Sequence, residues 1–260
     1  MNKFLRLLVV AVLTVSSSLG YAQGALDEVM KNKVLRVGIP TDFPPYGFVG
    51  TDLQPQGLDI DMANYLGAKL GVKTELVVVS SANRIPYLQT KKADLVISTL
   101  GKNPDREKVI DFASAYSPFF QAVFAAKGLS VKGPQDLGAK TVAVTRGAIE
   151  DLELTKVAAP GTDIKRFEDN NTTVSAFVAG QTQVIATGAS VAGNMMAKNP
   201  KLDVEYKFTL KDSPNFVGVA KGEEALRAKV NAIIAEAKKA GDLDRMSQKW
   251  LGRPAGDLPQ

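Results

Sequence analysis

From Val34 onward, apolar runs that read as strands alternate with stretches of helical spacing, and this alternation stops and then starts a second time. In the first round, a strand over Val34 to Ile39 is followed by a helix from Ile60 to Leu70 that ends at Gly71. A strand near Thr74 to Val79, a short helix near Arg84 to Thr90 and a strand over Leu95 to Ser98 come next. Strands separated by helices predict a mainly parallel sheet, because a parallel crossover needs a connection of helix length. After a connecting segment near Phe119 to Ala125, the second round has strands at Thr141 to Val144, Ile164 to Phe167 and Val184 to Ala186. Its helices are expected at Ile149 to Val157, Thr172 to Ala179 and Val191 to Lys198.

Two such rounds in 260 residues predict an α/β protein of two lobes. A short strand over Phe216 to Ala220 and helices over Glu223 to Ala240 and Leu243 to Trp250 are expected to return to the first lobe. Lobe 1 is then residues 23–120 and 217–260, and lobe 2 residues 121–216, with a two-crossing hinge near 119–125 and 213–218. A small ligand belongs in the cleft between the lobes, at the carboxyl ends of the strands.

Lys3 and Arg6 precede an apolar run from Leu7 to Val15 and small residues up to Ala22, which predicts a cleaved secretory signal peptide over residues 1–22. No later segment approaches the roughly 18 continuous apolar residues of a membrane span. With no cysteine, neither a disulfide framework nor a lipid-modified cysteine is available, and a freely diffusing periplasmic monomer is expected. Of 32 basic and 27 acidic residues, Lys3 and Arg6 leave with the signal, so the basic excess falls from five to three. So mild an excess, without a dense basic stripe, argues against nucleic-acid binding. The absence of histidine removes the usual general base, the Ser–His and Cys–His nucleophile systems and the commonest zinc ligand; no metal or cofactor is expected.

Chemistry concentrates around the strand that ends at Ser98-Thr99. Arg84 lies before it in Ala82-Asn83-Arg84-Ile85-Pro86, and Arg106 after it in Asn103-Pro104-Asp105-Arg106. Two arginines and two hydroxyls at one strand end suit a small carboxylate, since a planar guanidinium can hold both oxygens. A plainer reading stands beside this one. Asn103 and Pro104 can simply cap and open a short helix that carries Arg106 in solvent, Arg84 can open another, and Thr99 can close its strand with a satisfied hydroxyl.

Leu35-Arg36-Val37-Gly38, Asp42-Phe43-Pro44-Pro45-Tyr46, Gly57-Leu58-Asp59-Ile60-Asp61-Met62-Ala63, Pro104-Asp105-Arg106 with Asp111-Phe112, and Lys249-Trp250-Leu251-Gly252 follow one another at family spacing. In these motifs the chain resembles the periplasmic solute-binding proteins of ABC importers, in their polar amino-acid-binding branch, over almost all of its mature length. The resemblance implies a type II fold whose lobes close over the ligand, and a closed form that docks on an inner-membrane permease. The segment Ser81-Ala82-Asn83-Arg84-Ile85-Pro86 is similar to that of glutamate/aspartate-binding members.

By this resemblance Arg106 clamps the ligand α-carboxylate, Ser98 and Thr99 flank it, and Ser81 with Arg84 meets a second negative group. Gly101 keeps only its N–H where relatives have a hydroxyl. Phe43 and Tyr46 line the cleft, with core packing as the plain alternative, while Asp59 and Asp61 are expected to cap and orient a helix. In lobe 2, Arg146, Gly147, Ala148 and Ile149 open a helix whose free N–H groups can receive an anion. Gly188 stands where relatives carry the aspartate that pairs with the ligand ammonium, so either Glu150 or Asp151 replaces it or the ligand lacks an amino group. An acidic amino acid is the expected ligand. The alternatives are a non-amino dicarboxylate and a cyclohexadienyl dehydratase-like enzyme with Glu150 as its acid.

Overall fold

The computed structural model of the protein describes residues 24–259; the expected signal peptide lies outside the described residues. Lobe 1 opens with α1 (Ala25–Asn32) and β1 (Val34–Ile39), followed by a small antiparallel flap of β2 (Asp42–Phe43), β3 (Gly47–Val49) and β4 (Pro55–Gln56). Then come α2 (Leu58–Leu70), β5 (Lys73–Val78), α3 (Arg84–Gln89), β6 (Leu95–Gly101), α4 (Pro104–Glu107) and β7 (Ile110–Ser117). Lobe 2 contains β8 (Phe120–Ala126), β9 (Thr141–Thr145), α5 (Ile149–Val157), β10 (Asp163–Phe167), α6 (Asn170–Val178), β11 (Val184–Gly188), α7 (Ala189–Lys198) and β12 (Val204–Asp212). The chain returns through β13 (Asn215–Ala220), α8 (Glu224–Lys239) and α9 (Asp242–Leu251).

The two main sheets share one plan, β5-β1-β6-β13-β7 and β10-β9-β11-β8-β12. In each, the fourth strand runs antiparallel to its neighbours, and in each it is the first strand after a crossing between lobes. β6 is buried along its whole length, Ser98 and Thr99 included, as a central strand is when helices cover both faces of its sheet. α2 stops where Gly71 takes a left-handed backbone (φ 69°), a conformation glycine adopts without a Cβ clash. Leu226, Val230, Ile233 and Ile234 of α8 and Leu243 of α9 pack in one core with Leu35 and Val37 of β1.

The expected connection at 119–125 is instead strand β8. Ala122, Val123 and Ala125 are fully buried and pack into the cores on either face of the lobe 2 sheet, so the segment carries a central strand rather than a flexible link. The crossings are the shorter Pro118-Phe119 and Ser213-Pro214. They lie side by side, with Ser213 N–H donating to the Phe119 carbonyl (3.3 Å) and Asn215 Nδ2 to Ser117 Oγ (3.0 Å). The edge strand β12 was not anticipated, although Val204, Phe208 and Leu210 alternate with polar residues and pack against the lobe 2 cores. The lobes stand closed: Asp42 Oδ2 on lobe 1 accepts from Asn170 N and Nδ2 at the start of α6, at 2.7 and 3.1 Å. Among the described residues, no helix is long and apolar enough to cross a membrane.

Candidate functional site

The carboxyl end of β6 forms the floor of the interlobe cleft. Thr99 adopts φ 43°, in the left-handed region that costs a non-glycine residue about 1–3 kcal/mol and persists only where neighbours enforce it. The neighbour is Asp59. Its Oδ2 accepts from Thr99 N–H (2.8 Å) and its Oδ1 from Tyr116 Oη (2.6 Å), with all three residues buried. Burial pushes the Asp59 carboxyl up to about 7, against the pull of those two donors and of Arg84. Asp59 therefore braces the strand end instead of capping α2, whose N-cap is Gly57. Asp61 is no cap either, since it accepts from Lys249 Nζ and Trp250 Nε1, both at 2.7 Å.

Asn103 Oδ1 caps α4 by accepting from Arg106 N–H (2.9 Å), which aims the arginine back into the cleft. Arg106 is 4% exposed and donates to the Gly101 carbonyl (2.6 Å) and, across the cleft, to the Gly147 carbonyl (2.9 Å). Arg84 is 3% exposed and donates to the carbonyls of Ser81, Ser98 and Thr99, and to Gly147 at 3.4 Å. Neither arginine is solvated. Burial lowers both pKa values, and for Arg106 burial and then the like charge of Arg84 bring it to about 9, so Arg106 stays cationic at neutral pH. Beside them, Ser81, Ala82, Leu100, Gly147 and Leu152 help line a cavity of about 270 Å³.

Lobe 2 meets these guanidiniums with an acceptor, not with the free donors expected of a helix start. Gly147 N–H is taken by Asp151 Oδ2 (3.0 Å) and Ala148 N–H by the Thr145 carbonyl (3.1 Å), which leaves the Gly147 carbonyl facing the arginines. Gly147 sits at φ 71°, and a Cβ there would lie 3.1 Å from the Ala82 backbone, so only glycine permits this approach. The Arg146 guanidinium points outward to Glu168 at the exposed surface (2.9 Å) and does not line the cleft. Ile149 is buried and faces Gly101, where an added Cβ would meet it at 3.3 Å.

Of the two acids that could stand in for the missing aspartate, Asp151 is committed to Gly147 N–H and Arg166 Nε (2.8 Å). Glu150 is 1% exposed, its Oε1 has no partner, and it lies within electrostatic reach of both guanidiniums. Burial pushes its carboxyl up to about 7, while its own N–H and the two arginines hold it down.

Gly188 caps α7, and any side chain there would begin 2.2 Å from the Phe119 ring. That ring fills the place of an anchor side chain. It packs with Phe43 and Tyr46 at centroid distances of 5.6 and 5.3 Å, and Tyr46 Oη donates to the Pro118 carbonyl (2.6 Å). Phe43 and Tyr46 are thus core residues that brace the first crossing, and neither lines the guanidinium cavity. Register sets Gln121 opposite Gly188 and Asn215 opposite Gly101, and both Gln121 side-chain atoms, Asn215 Oδ1 and Thr187 Oγ1 are buried without a partner among the described residues. Buried polar atoms are normally satisfied, so this group of orphans indicates a polar guest or water between the lobes. Phe119, Gln121 and Asn215 escaped the sequence reading because nothing local marks a residue in or beside a crossing between lobes.

Comparison with known proteins agrees with this architecture. The L-cystine-binding protein TcyJ of Escherichia coli (strain K12) is 29% identical over 234 residues, which span 88% of this chain and 87% of that protein. An ancestral arginine-binding protein bound to arginine is 32% identical with a TM-score of 0.80, over 85% of this chain and 99% of its own. The ancestral amino acid-binding protein AncCDT-1, a precursor of cyclohexadienyl dehydratase, is 32% identical with a TM-score of 0.76, over 86% and 98%. The model of the bacterial extracellular solute-binding proteins, family 3, matches residues 35–253, and the chain belongs to that family.

Proposed function

We propose that this protein is the periplasmic binding component of an ABC importer and that it captures an acidic amino acid between its lobes for delivery to a membrane permease. The observation that carries the reading is the triad of buried charges, Arg84 and Arg106 with Glu150. Relatives that bind cystine or arginine share the need for an α-carboxylate clamp, so the second guanidinium and the buried acid must be explained by this chain's own ligand. With Glu150 ionised and Asp59 protonated, Arg84, Arg106 and Glu150 together carry one net positive charge, which glutamate or aspartate neutralises. Both ligand carboxylates face guanidiniums, and the ammonium takes the free Glu150 oxygen. A neutral or basic amino acid leaves a buried charge unpaired, which is costly enough to exclude it. Entry of the ligand displaces the Gly147 carbonyl from the arginines, so binding exchanges an internal hydrogen bond for a stronger charge-assisted one.

Isothermal titration at pH 6 in two buffers of different ionisation enthalpy tests this. Glutamate or aspartate should bind and release protons, because an ammonium beside Glu150 favours its carboxylate. Binding of arginine or cystine but neither acid would overturn the acidic assignment. A second reading follows from Gly188 and Phe119: glutarate or succinate, which bring no ammonium, should instead take up protons as Glu150 becomes the neutral partner of two arginine-bound carboxylates. The raised Glu150 carboxyl also suits a general acid, and incubation with prephenate or arogenate checks for dehydratase activity.

A further inference from the structure

Closure leaves a second space between the lobes, on the far side of the Phe43–Tyr46–Phe119 aromatic cluster. It measures about 720 Å³ and shares no lining residue with the guanidinium cavity. Tyr46 and Trp250 wall it from lobe 1, Phe119 from the crossing, and Phe120 and α7 from lobe 2. Two cations stand in its walls, Lys198 at the end of α7 and Arg253 just beyond α9. Among the described residues neither has a carboxylate within 4.0 Å, unlike Lys249, four residues before Arg253. Ser190 lines the same space, and its hydroxyl is shielded from solvent without a hydrogen-bond partner.

Each feature excludes a class of guest. Inorganic phosphate satisfies the cations but leaves four aromatic walls against a strongly hydrated ion. An aliphatic molecule satisfies the walls but not the cations. A planar ring offers its face or edge to the aromatic residues, and a carboxylate on that ring reaches Lys198, Arg253 and the spare Ser190 hydroxyl. We propose that this cavity is a second binding site, for a small aromatic carboxylate, separate from the one that holds the ligand of Arg84 and Arg106. Because its walls come from both lobes, an occupant is bound best when they are together.

Trp250 is the only tryptophan in the chain and it lines the cavity, so intrinsic fluorescence reports occupancy directly. Titrating the secreted protein with benzoate should give a saturable change, and neutral benzamide one at least tenfold weaker. The double variant Lys198→Ala/Arg253→Ala should weaken benzoate at least tenfold while leaving glutamate binding unchanged, and circular dichroism verifies that it is folded. Arg106→Ala should do the reverse. A linear, unsaturable response, equal responses to benzoate and benzamide, or an unchanged benzoate affinity in the double variant would overturn the proposal. If no amino acid binds but benzoate saturates with this dependence, the acidic-ligand reading fails alone and the second site stands.

Discussion

The two spaces between the lobes hold cations in opposite conditions. In the guanidinium cleft, Arg84 and Arg106 are buried and already donate to the carbonyls of Ser98, Thr99, Gly101 and Gly147. In the aromatic cavity, Lys198 and Arg253 are exposed and hold no acid among the described residues. The first arrangement favours selectivity, since a guest must replace bonds of defined geometry and a wrong one leaves a charge stranded in a medium of low dielectric. In the second, the cations attract an anion while the aromatic walls choose it, since exposed charges are screened and each pair contributes about 0–1 kcal/mol. Burial, more than the number of charges, decides how much of a subsite's selectivity its cations carry.

Removing a buried cation is the severest way to break this contrast. Arg106→Ala should abolish high-affinity glutamate binding, a loss of about 3–5 kcal/mol or at least a hundredfold, because the ligand carboxylate is left desolvated and half-paired. Titration calorimetry measures it, and near-normal affinity in a folded variant would return Arg106 to a structural role.

The next effect concerns pH, and it belongs to the guanidinium cleft alone. Glu150 and Asp59 are both raised by burial to about 7, well above their unfolded values near 4. Each therefore binds a proton in the folded state that the unfolded chain has lost, so this contribution is full below about pH 4 and disappears as pH rises through 7. At about 1.4 kcal/mol per unit over about three units, each accounts for at most about 4 kcal/mol. Thermal melts of the ligand-free protein should show a falling melting temperature from pH 5 to 8, and Glu150→Gln should flatten the slope. Benzoate binding should be indifferent to that substitution.

Gly188→Asp probes the wall between the two spaces. An aspartate there meets the Phe119 ring and should cost about 1–3 kcal/mol through overpacking. Phe119→Ala in the same chain should relieve the clash, and the pair then tests whether an aspartate at this position strengthens binding of neutral amino acids. The smallest change is Asp61→Ala, which removes the acceptor of Trp250 Nε1 and Lys249 Nζ. About 1 kcal/mol of stability and a shift in Trp250 emission are expected, with glutamate affinity unaltered.

Much of the scaffold was readable from local pattern. Val34–Ile39 and Ile149–Val157 form the elements that their periodicity specifies, and Gly71 ends α2 where a left-handed residue was needed. Asn103 caps α4 as its chemistry requires. Asp59 was misread because helix capping is the local role of an aspartate near a helix start, whereas its partners Thr99 and Tyr116 lie 40 and 57 residues away. Phe120–Ala126 was misread because a central strand and an apolar linker look alike until another strand pairs with them.

By itself the sequence determined the α/β class, the repeat of one lobe plan, and the presence of two arginines and two hydroxyls around one strand end. Those follow from period, composition and spacing, which act over a few residues. Only the tertiary structure decided that Arg146 faces solvent, that the Gly147 carbonyl occupies both guanidiniums, that Glu150 is left as the free acid, and that Phe119 needs Gly188 to be a glycine. Each of these depends on how closely two lobes approach, and that distance is set by the packing of residues far apart in the chain.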